Sequence, residues 1–264
     1  MSFRDLGLSD KTIQAIEDLG YQAPTTVQKD VIPSILEGKD IFTIAPSACG
    51  KTCAYIFPLI DIISQNTTQN ILIITPDEKE AVKVSDKFAI FNKYHQINDE
   101  DTSSANVIIA SPSLLLENIK ENNIDVSNIN ILVVDDINLI KKKRQLSNFE
   151  QILELLPANK QNIVFTTRRS KETQSTLDKI LKTPAEIKID KAKEEEVKEL
   201  SENEPTMPKD LPSSEKKAKE RRKYQHRENL QDKKAVELAR KYKIFGKKVP
   251  AFLLDDTQLA DEAE

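Results

Sequence analysis

Short apolar runs, mostly of β-branched residues, alternate with longer stretches of helical periodicity along the first 190 residues. The apolar runs predict strands at about 40–45, 70–75, 106–111, 131–136, 162–167 and 186–189. The stretches between them predict helices at roughly 51–64, 78–91, 112–121, 147–155 and 170–182. This alternation is typical of an α/β fold, a parallel sheet sandwiched by helices. Ligands of such sheets bind at the carboxyl ends of the strands.

The remainder of the chain has few apolar residues and no strand pattern. Residues 191–212 are acidic and contain proline, which predicts a linker. Residues 213–264 predict a charged helical C-terminal extension: a long polar helix with a serine cap, then an apolar patch and an acidic end. We therefore divide the chain into a domain at 1–190, a linker and a helical tail.

Positive charge is concentrated in the tail, although the whole chain has a formal net charge of −4. Residues 209–249 contain fifteen Lys or Arg and six Asp or Glu. Such a segment binds nucleic-acid phosphates without sequence preference, and Tyr224, Tyr242 and Phe245 are candidates for stacking on bases. A nucleic acid is thus the candidate partner of residues 213–249. The alternative is a solvated charged helix.

An apolar cluster follows the predicted polar helix and comprises Ile244, Phe245, Val249, Phe252, Leu253 and Leu254. It either packs back on the domain or serves as a docking peptide for a ribosomal or RNA-processing partner.

Composition excludes several classes of protein. No apolar run approaches the ~20 residues needed to span a bilayer, and the N-terminus has no apolar signal core. We expect a soluble, cytoplasmic protein without membrane association. Cys49 and Cys53 are the only cysteines, and neither histidines nor further cysteines lie near them. Small packing residues of a reducing compartment are favoured over a metal or redox pair.

The sequence "IAPSACGKTCAY" at 44–55 runs from a predicted strand through a loop into a predicted helix. This is the context of a phosphate-binding loop, in which backbone amides and a helix N-terminus attract phosphate. Lys51 would reach the β- and γ-phosphates, and Thr52 would hold Mg²⁺. However, Ala45 and Ala48 stand where such loops usually carry glycine. A GKT tripeptide arising by chance is the alternative.

A second candidate metal ligand lies at the end of the predicted strand "ILVVDD". An acidic residue at the end of an apolar strand usually makes the second contact to Mg²⁺ in nucleotide sites. Asp135 and Asp136 end this strand, and the alternative is a solvated turn. The phosphate loop upstream favours a metal role for Asp135.

These features together resemble the N-terminal RecA-like domain of DEAD-box RNA helicases, over about residues 2–190. "LGYQAPTTVQ" at 19–28 is similar to the adenine-recognition segment of that family, with Gln28 in the place of its glutamine. Phe3 lies seventeen residues before Gly20, the spacing of the family's upstream aromatic residue. The run "VIPSILEGKDIFTIAPSACGKT" is similar to the family's path into its phosphate loop.

Further segments follow in the family's order. "ASPSLLLENI" at 110–119 stands where the family has an RNA-contacting Thr-Pro-Gly-Arg segment. "VVDDIN" lies at the position of the family's Asp-Glu-Ala-Asp segment, and "VFTTRR" at 164–169 lies at the position of its Ser-Ala-Thr segment. The resemblance implies ATP and Mg²⁺ as cofactors, with Thr52 and Asp135 as metal ligands. It implies nucleotide contacts from Phe3, Gln28, Pro46, Ser47, Ala48, Cys49, Gly50, Lys51 and Thr52.

The chain also departs from the family at the nucleotide site. Ala48 replaces a glycine, which costs roughly 1 kcal/mol if its φ is positive. Asp136 lies at the position of the family's catalytic glutamate, which orients the attacking water, but its side chain is one methylene shorter. A misplacement of about 1 Å in a catalytic group lowers the reaction rate by about a hundredfold. Asn138 replaces the last aspartate, which normally ties this segment to Ser-Ala-Thr, and Phe165 replaces the serine.

The RNA-contacting segments differ as well. In "PDEKEA" at 76–81, Glu78 stands where the family has a phosphate-contacting arginine, so the local charge is reversed. "SPSL" lacks the arginine of its counterpart, and no glycine doublet lies between the two segments.

The 74 residues after Asp190 are too few and too polar for the second RecA-like domain, which supplies arginines to the transferring phosphoryl group. We expect that this chain alone does not unwind RNA and is at most a weak ATP hydrolase, with Asp136 as its candidate catalytic residue. The alternatives are a non-enzymatic scaffold that binds RNA or a ribonucleoprotein through the tail, and an ATPase completed by a second chain.

Overall fold

The computed structural model describes residues 1–66, 68–95 and 107–189, so the predicted linker and tail lie outside the described residues. The strands are β1 Ile41–Ile44, β2 Ile71–Ile74, β3 Val107–Ala110, β4 Ile131–Val134, β5 Gln161–Thr166 and β6 Ala185–Lys188. The helices are α1 Asp10–Asp18, α2 Thr26–Leu36, α3 Lys51–Gln65, α4 Glu78–Phe91, α5 Pro112–Lys120, α6 Ile137–Lys142, α7 Leu146–Leu155 and α8 Lys171–Ile180. Two short 3₁₀ helices lie at Phe3–Leu6 and Asn92–Tyr94.

The six strands form one parallel sheet in the order β3-β2-β4-β5-β1-β6. Each predicted strand is present, and the parallel arrangement is confirmed. The central strands are buried and mostly apolar because helices cover both faces; Thr43 of β1 and Asn162 and Thr166 of β5 are the buried polar exceptions. Along β1, Ile41 belongs to the apolar cluster on one face, whereas Phe42 belongs to the cluster on the other.

The helices divide between these two clusters. The side chains of α1 to α4 pack with Ile41 on one face, and those of α5 to α8 pack with Phe42 on the other. This arrangement fixes both ends of every strand. The residues that follow the carboxyl ends of the strands are therefore gathered along a single edge of the sheet.

Three helices were not predicted by the apolar pattern, namely α1, α2 and α6. Local polar contacts define where they begin. Ser9 caps α1 by accepting the backbone N–H of Thr12, and Thr25 and Gln28 form a capping box at the start of α2. Helix α6 begins at Ile137 with Asp136 as its N-cap, and β4 ends at Val134, two residues before the end of the predicted strand.

Among the described residues, no helix combines the length and the apolar character that crossing a bilayer requires.

Candidate nucleotide site

The loop between β1 and α3 contains two residues with left-handed backbone conformation. Ala48 has a φ of 63°, and Gly50, the N-cap of α3, has a φ of 91°. A Cβ atom on Gly50 would lie 2.9 Å from Nε2 of Gln28 and 3.0 Å from Oγ1 of Thr25. Gly50 is thus required both by its conformation and by the close approach of α2, whereas Ala48 adopts its conformation against a steric penalty.

Replacing Ala48 with glycine is expected to stabilise the protein by about 1 kcal/mol, because glycine adopts a positive φ without steric strain. The free energy of unfolding in urea measures this effect. Ala23→Gly is the matched control, because Ala23 is exposed and is not among the residues with positive φ. A loss of stability in Ala48→Gly would show that the left-handed conformation is not strained.

Lys51, the first residue of α3, turns back toward the loop. Its Nζ atom donates hydrogen bonds to the carbonyl oxygens of Ala45, at 3.0 Å, and Pro46, at 2.7 Å. The ammonium group is therefore held at the loop, within reach of any anion bound by the loop amides. Phosphate binding would exchange these two carbonyl acceptors for phosphate oxygens, which form stronger, charge-assisted hydrogen bonds with lysine.

Gln28 connects α2 to the loop. Its Oε1 atom accepts the backbone N–H of Thr25 at 3.0 Å, and its Nε2 atom donates to the carbonyl oxygen of Gly50 at 3.4 Å. The side chain is buried, so both ends of the amide are engaged by the protein. One N–H and one lone pair remain for a ligand, and the adenine-binding role of Gln28 stays a prediction.

Phe3 is buried and packs edge-to-face against Phe57 of α3, with 5.9 Å between the ring centroids. Phe57 also contacts Tyr21, whose ring is 40% exposed. The contact between Phe3 and adenine stays a prediction, because the structure places the ring in the core beneath the surface.

Tyr55 brings the two predicted metal ligands together. Its buried hydroxyl donates a hydrogen bond to Oδ2 of Asp135 at 3.3 Å and lies close to the side chain of Thr52, one helical turn earlier. Its ring packs against Phe165, with 5.5 Å between the centroids. Phe165 thus packs against the tyrosine ring, and the Thr52 and Asp135 side chains both lie near the Tyr55 hydroxyl.

The electrostatics around Asp135 suit a cation. Burial raises the pKa of Asp135 to about 6, and the positive charge of Lys51 opposes this shift. A carboxylate whose charge is poorly solvated is stabilised by a nearby cation. One hydroxyl and one carboxylate also match the usual protein contribution to Mg²⁺ sites, in which water and phosphate supply the other ligands. The residues present therefore fit Mg²⁺ with a bound nucleotide, held by Thr52 and Asp135.

Asp136 caps helix α6, unlike its neighbour Asp135. Its Oδ1 atom accepts the backbone N–H groups of Asn138, at 3.1 Å, and Leu139, at 3.3 Å, so it is the N-cap of α6. Its backbone has a φ of 69°, and its side chain is buried. Burial raises the pKa of Asp136, although these backbone N–H groups oppose the shift. Its catalytic role stays a prediction, because a water molecule would have to share a carboxylate that already caps a helix.

Asn138 joins the ends of β4 and β5. Its Nδ2 atom donates to Oγ1 of Thr166 at 2.7 Å and to the carbonyl oxygen of Arg168 at 2.6 Å. Its Oδ1 atom accepts the hydroxyl of Thr173 at 3.4 Å. The sequence identified Asn138 as a replacement of the aspartate that ties these segments in the family. In the structure, the asparagine amide donates hydrogen bonds to the residues at the end of β5 and so joins the two segments.

An acidic residue, Glu78, lies against the segment at 110–119, which resembles an RNA-contacting segment of the family. The hydroxyl of Ser111, the N-cap of α5, donates to Oε1 of Glu78 at 2.6 Å. Glu78 begins α4, and Asp77, the N-cap of that helix, forms an ion pair with Lys143 at 2.9 Å. A carboxylate therefore lies beside the N-terminus of α5, where a nucleic-acid phosphate would otherwise be attracted.

Cys49 and Cys53 are both buried, and neither forms a disulfide. Burial raises the pKa of the Cys53 thiol. The described residues contain no cluster of three or more histidine, cysteine, aspartate or glutamate side chains that would hold a metal ion.

Sequence reasoning missed Tyr55, although a signal was available. Tyr55 follows Thr52 by three residues and Lys51 by four, and residues with these spacings share one face of a helix. A tyrosine on the face of α3 that carries Lys51 and Thr52 is thus a candidate contact of whatever they bind.

A family model of DEAD/DEAH box helicases matches residues 25–176 of the chain. The DEAD-box ATP-dependent RNA helicase RhpA of Helicobacter pylori is 27% identical over 202 residues, which cover 71% of this chain and 41% of that protein. The ATP-dependent RNA helicase DeaD of Haemophilus influenzae is 25% identical over 205 residues, 72% of this chain and 33% of the relative. The chain thus spans less than half the length of these two relatives.

Solved structures share the fold. A DEAD box protein from Methanococcus jannaschii superimposes with a TM-score of 0.65 at 24% identity, over 72% of this chain and 56% of that one. A hypothetical ATP-dependent RNA helicase from Sulfolobus tokodaii superimposes with a TM-score of 0.61 at 21% identity, over 75% of this chain and 66% of that one. The six-stranded parallel sheet is accordingly RecA-like. With the family model matching more than half of its length, the chain belongs to the DEAD/DEAH box helicase family.

Proposed function

We propose that this chain binds ATP with Mg²⁺ at the loop between β1 and α3 and hydrolyses it slowly at most. The observation that carries the proposal is the hydroxyl of Tyr55, which contacts the side chains of both Thr52 and Asp135. This hydroxyl lies near both predicted metal ligands, and the positive charge of Lys51 acts on Asp135. Similarity to ATP-dependent RNA helicases supports the same choice of ligand.

Some residues of the site bind the nucleotide and the metal, and Asp136 is the candidate for the chemical step. Lys51 and the amides of the loop hold phosphate, and Thr52 and Asp135 hold the metal, which neutralises phosphate charge when bound. Asp136 stands where a carboxylate would orient the attacking water, but its carboxylate caps α6. Slow hydrolysis follows, because a water that is misplaced by about 1 Å reacts about a hundredfold more slowly.

Isothermal titration of the full chain with ATP and ADP, each with and without Mg²⁺, tests the proposal. We expect saturable binding of both nucleotides, with higher affinity in the presence of Mg²⁺. The absence of heat at millimolar nucleotide would contradict the proposal.

Replacing Tyr55 with phenylalanine is expected to weaken the Mg²⁺ dependence of ATP binding by about fivefold, because one hydrogen bond to the charged Asp135 contributes about 1 kcal/mol or more. The ring and its contact with Phe165 are retained, so the fold should be preserved. Titrations in Mg²⁺ and in EDTA measure the ratio of affinities. Tyr94→Phe, which alters a tyrosine of the surface 3₁₀ helix, is the control. An unchanged ratio would remove Tyr55 from the metal site.

We also propose that the chain associates with RNA through its basic segment 209–249 rather than through the N-terminus of α5. The hydrogen bond between Ser111 and Glu78 supports this choice, since it places a carboxylate where RNA phosphate would bind. Titration with single-stranded RNA at increasing salt tests this proposal, and the affinity should fall steeply as the salt concentration rises. Changing Arg221, Arg222 and Lys223 to glutamine should lower the affinity by the same factor for RNAs of different sequence. Salt-independent binding would contradict it.

A further inference from the structure

A cavity of about 740 Å³ lies at the edge of the sheet where β1, β5 and β6 end. Its walls include neither Lys51 nor the predicted metal ligands, so the cavity adjoins the candidate nucleotide site without being part of it. Pro46 and Ser47, from the loop after β1, form one wall. Residues at the ends of β5 and β6 form the other wall, namely Thr167, Arg168, Arg169, Glu186, Lys188 and Ile189.

Positive charge is in excess in this cavity. Arg169 forms an ion pair with Glu186 and lies over the ring of Phe42, at 5.4 Å from its centroid, so its charge is matched. The side chains of Arg168 and Lys188 are exposed and have no hydrogen-bond or ion-pair partner among the described residues. Two positive charges thus remain in one concave surface, which attracts anionic groups.

The backbone of Arg168 is held at the end of β5. Its carbonyl oxygen accepts hydrogen bonds from Nδ2 of Asn138, at 2.6 Å, and from the hydroxyl of Thr166, at 2.9 Å. The guanidinium group therefore extends from a fixed point of the sheet edge. Because this group is planar and always charged, it is well suited to bind both oxygens of a carboxylate.

The described part of the chain ends at the wall of this cavity. Ile189 is buried, and its backbone N–H donates to the carbonyl oxygen of Ile44 at 2.9 Å. After four further residues the sequence reads Glu-Glu-Glu at 194–196, and we call these residues the acidic triplet. Four residues are enough for a reverse turn, and five residues span at most roughly 18 Å. The covalent chain therefore keeps the acidic triplet within reach of Arg168 and Lys188.

We propose that the acidic triplet binds in this cavity and that its carboxylates pair with Arg168 and Lys188. The charge of the triplet is opposite to that of the cavity, and the triplet is joined to the cavity wall by a short segment. A short flexible linker gives an effective concentration in the millimolar range, so contacts that are weak between separate molecules suffice here. The bound triplet neutralises this edge of the sheet and covers it against other anions, such as the phosphates of RNA. This contact does not depend on the binding of a nucleotide.

Carbodiimide crosslinking of the full chain carrying Arg168→Lys tests the proposal, because the reagent joins lysine ammonium groups to carboxylates in contact with them. The substitution keeps the positive charge and makes position 168 reactive. We expect peptide mapping by mass spectrometry to find links from position 168 and from Lys188 to the acidic triplet. The yield should fall severalfold between 0.1 M and 1 M salt, because the Debye length falls from about 10 Å to about 3 Å.

Lys182 is the control, because it is exposed and lies outside the cavity. It is closer to the acidic triplet in sequence than position 168 is, but it should form several times fewer links to the triplet. Equal yields at Lys182 and at position 168 would overturn the proposal. Links from the triplet only to lysines of the basic segment 209–249 would overturn it as well.

Amide NMR of the full chain with Arg168 retained provides a second measurement. Changing the three glutamates of the acidic triplet to glutamine should shift the amide signals of Ser47 and Arg168. The matched control changes three later glutamates of the same segment, Glu199, Glu202 and Glu204, to glutamine and should shift these signals much less. Equal shifts in the two variants, or no shift in either, would contradict the binding of the triplet in this cavity.

Discussion

Replacing Lys51 with alanine is expected to lower ATP affinity by about 100-fold, with a similar loss for ADP. Two charge-assisted hydrogen bonds from the ammonium group to phosphate contribute about 3 kcal/mol together, and each 1.4 kcal/mol corresponds to a factor of ten. The loss extends to ADP because the loop contacts the phosphates that the two nucleotides share.

The measurement is isothermal titration of the full chain with each nucleotide and Mg²⁺. Lys171→Ala is the matched control, because Lys171 is an exposed lysine that also begins a helix, α8. Lys51→Arg should recover only part of the affinity, since a wide guanidinium group does not replace a compact ammonium group in a tight loop. Unchanged ATP affinity in Lys51→Ala would move the nucleotide away from this loop.

The free energy of unfolding of Lys51→Ala has to be measured together with its nucleotide affinity. Lys51 also bonds the carbonyl oxygens of Ala45 and Pro46, so the alanine variant loses two contacts within the loop. These carbonyls become accessible to water, and we expect the free energy of unfolding to change by no more than about 1 kcal/mol. A much larger loss of stability would mean that Lys51 is chiefly structural.

Replacing Asp61 with alanine is expected to lower the free energy of unfolding by about 3–5 kcal/mol, a large part of the total stability of a domain. Asp61 lies in α3 and is completely buried. Its carboxylate accepts the backbone N–H of Ser9 at 2.6 Å and the hydroxyl of Ser9 at 2.6 Å, and it also accepts the hydroxyl of Thr12. Alanine would leave the buried Thr12 hydroxyl and the partly buried donors of Ser9 without this acceptor.

His95 completes this buried network. Its Nε2 atom lies 2.7 Å from Oγ1 of Thr12, whose own hydrogen points to Asp61, so Nε2 carries a hydrogen and donates it. Burial lowers the pKa of His95, and the nearby Asp61 carboxylate opposes the shift. Ser9 is the N-cap of α1, so the network anchors the N-terminal helix to the same α3 helix that begins with Lys51.

Urea unfolding of the full chain measures the effect of Asp61. Asp61→Asn keeps one acceptor oxygen and should lose about 2 kcal/mol, roughly half the effect of alanine. Asp30→Asn is the control, because Asp30 is exposed and lies in the neighbouring helix α2. If Asp61→Ala were as stable as the control, the buried carboxylate would contribute nothing to holding α1 against α3.

The strands and the phosphate loop were predictable because burial imposes simple patterns. A strand covered on both faces is mostly apolar, and the short β-branched runs "ILII" and "ILVV" match this pattern. The loop was predictable since Gly50, Lys51 and Thr52 follow such a strand directly. The starts of α1 and α2 depended instead on short polar contacts, which apolar periodicity does not detect.

The details of the site were less predictable, as Asn138 shows. Replacing aspartate with asparagine exchanges one acceptor oxygen for an NH₂ donor. From the sequence alone, this exchange could either break or keep a contact. The hydroxyl of Thr166 and the carbonyl oxygen of Arg168 lie opposite and accept its hydrogen bonds, and these partners are 28 and 30 residues away along the chain. The identity of a partner across the sheet decides whether such an exchange is neutral.

By itself, the sequence determined the order of strands and helices, the position of the phosphate loop and the family resemblance, because these depend on local pattern and spacing. Only the tertiary structure decided that Tyr55 joins Thr52 to Asp135, that Asp136 caps a helix and that Arg168 and Lys188 line one cavity. The physical reason is the parallel sheet, which brings the carboxyl ends of strands that are distant in sequence to one edge. Hydrogen bonds and charges act over a few ångströms of space, so their partners are fixed by that edge and not by neighbours in the chain.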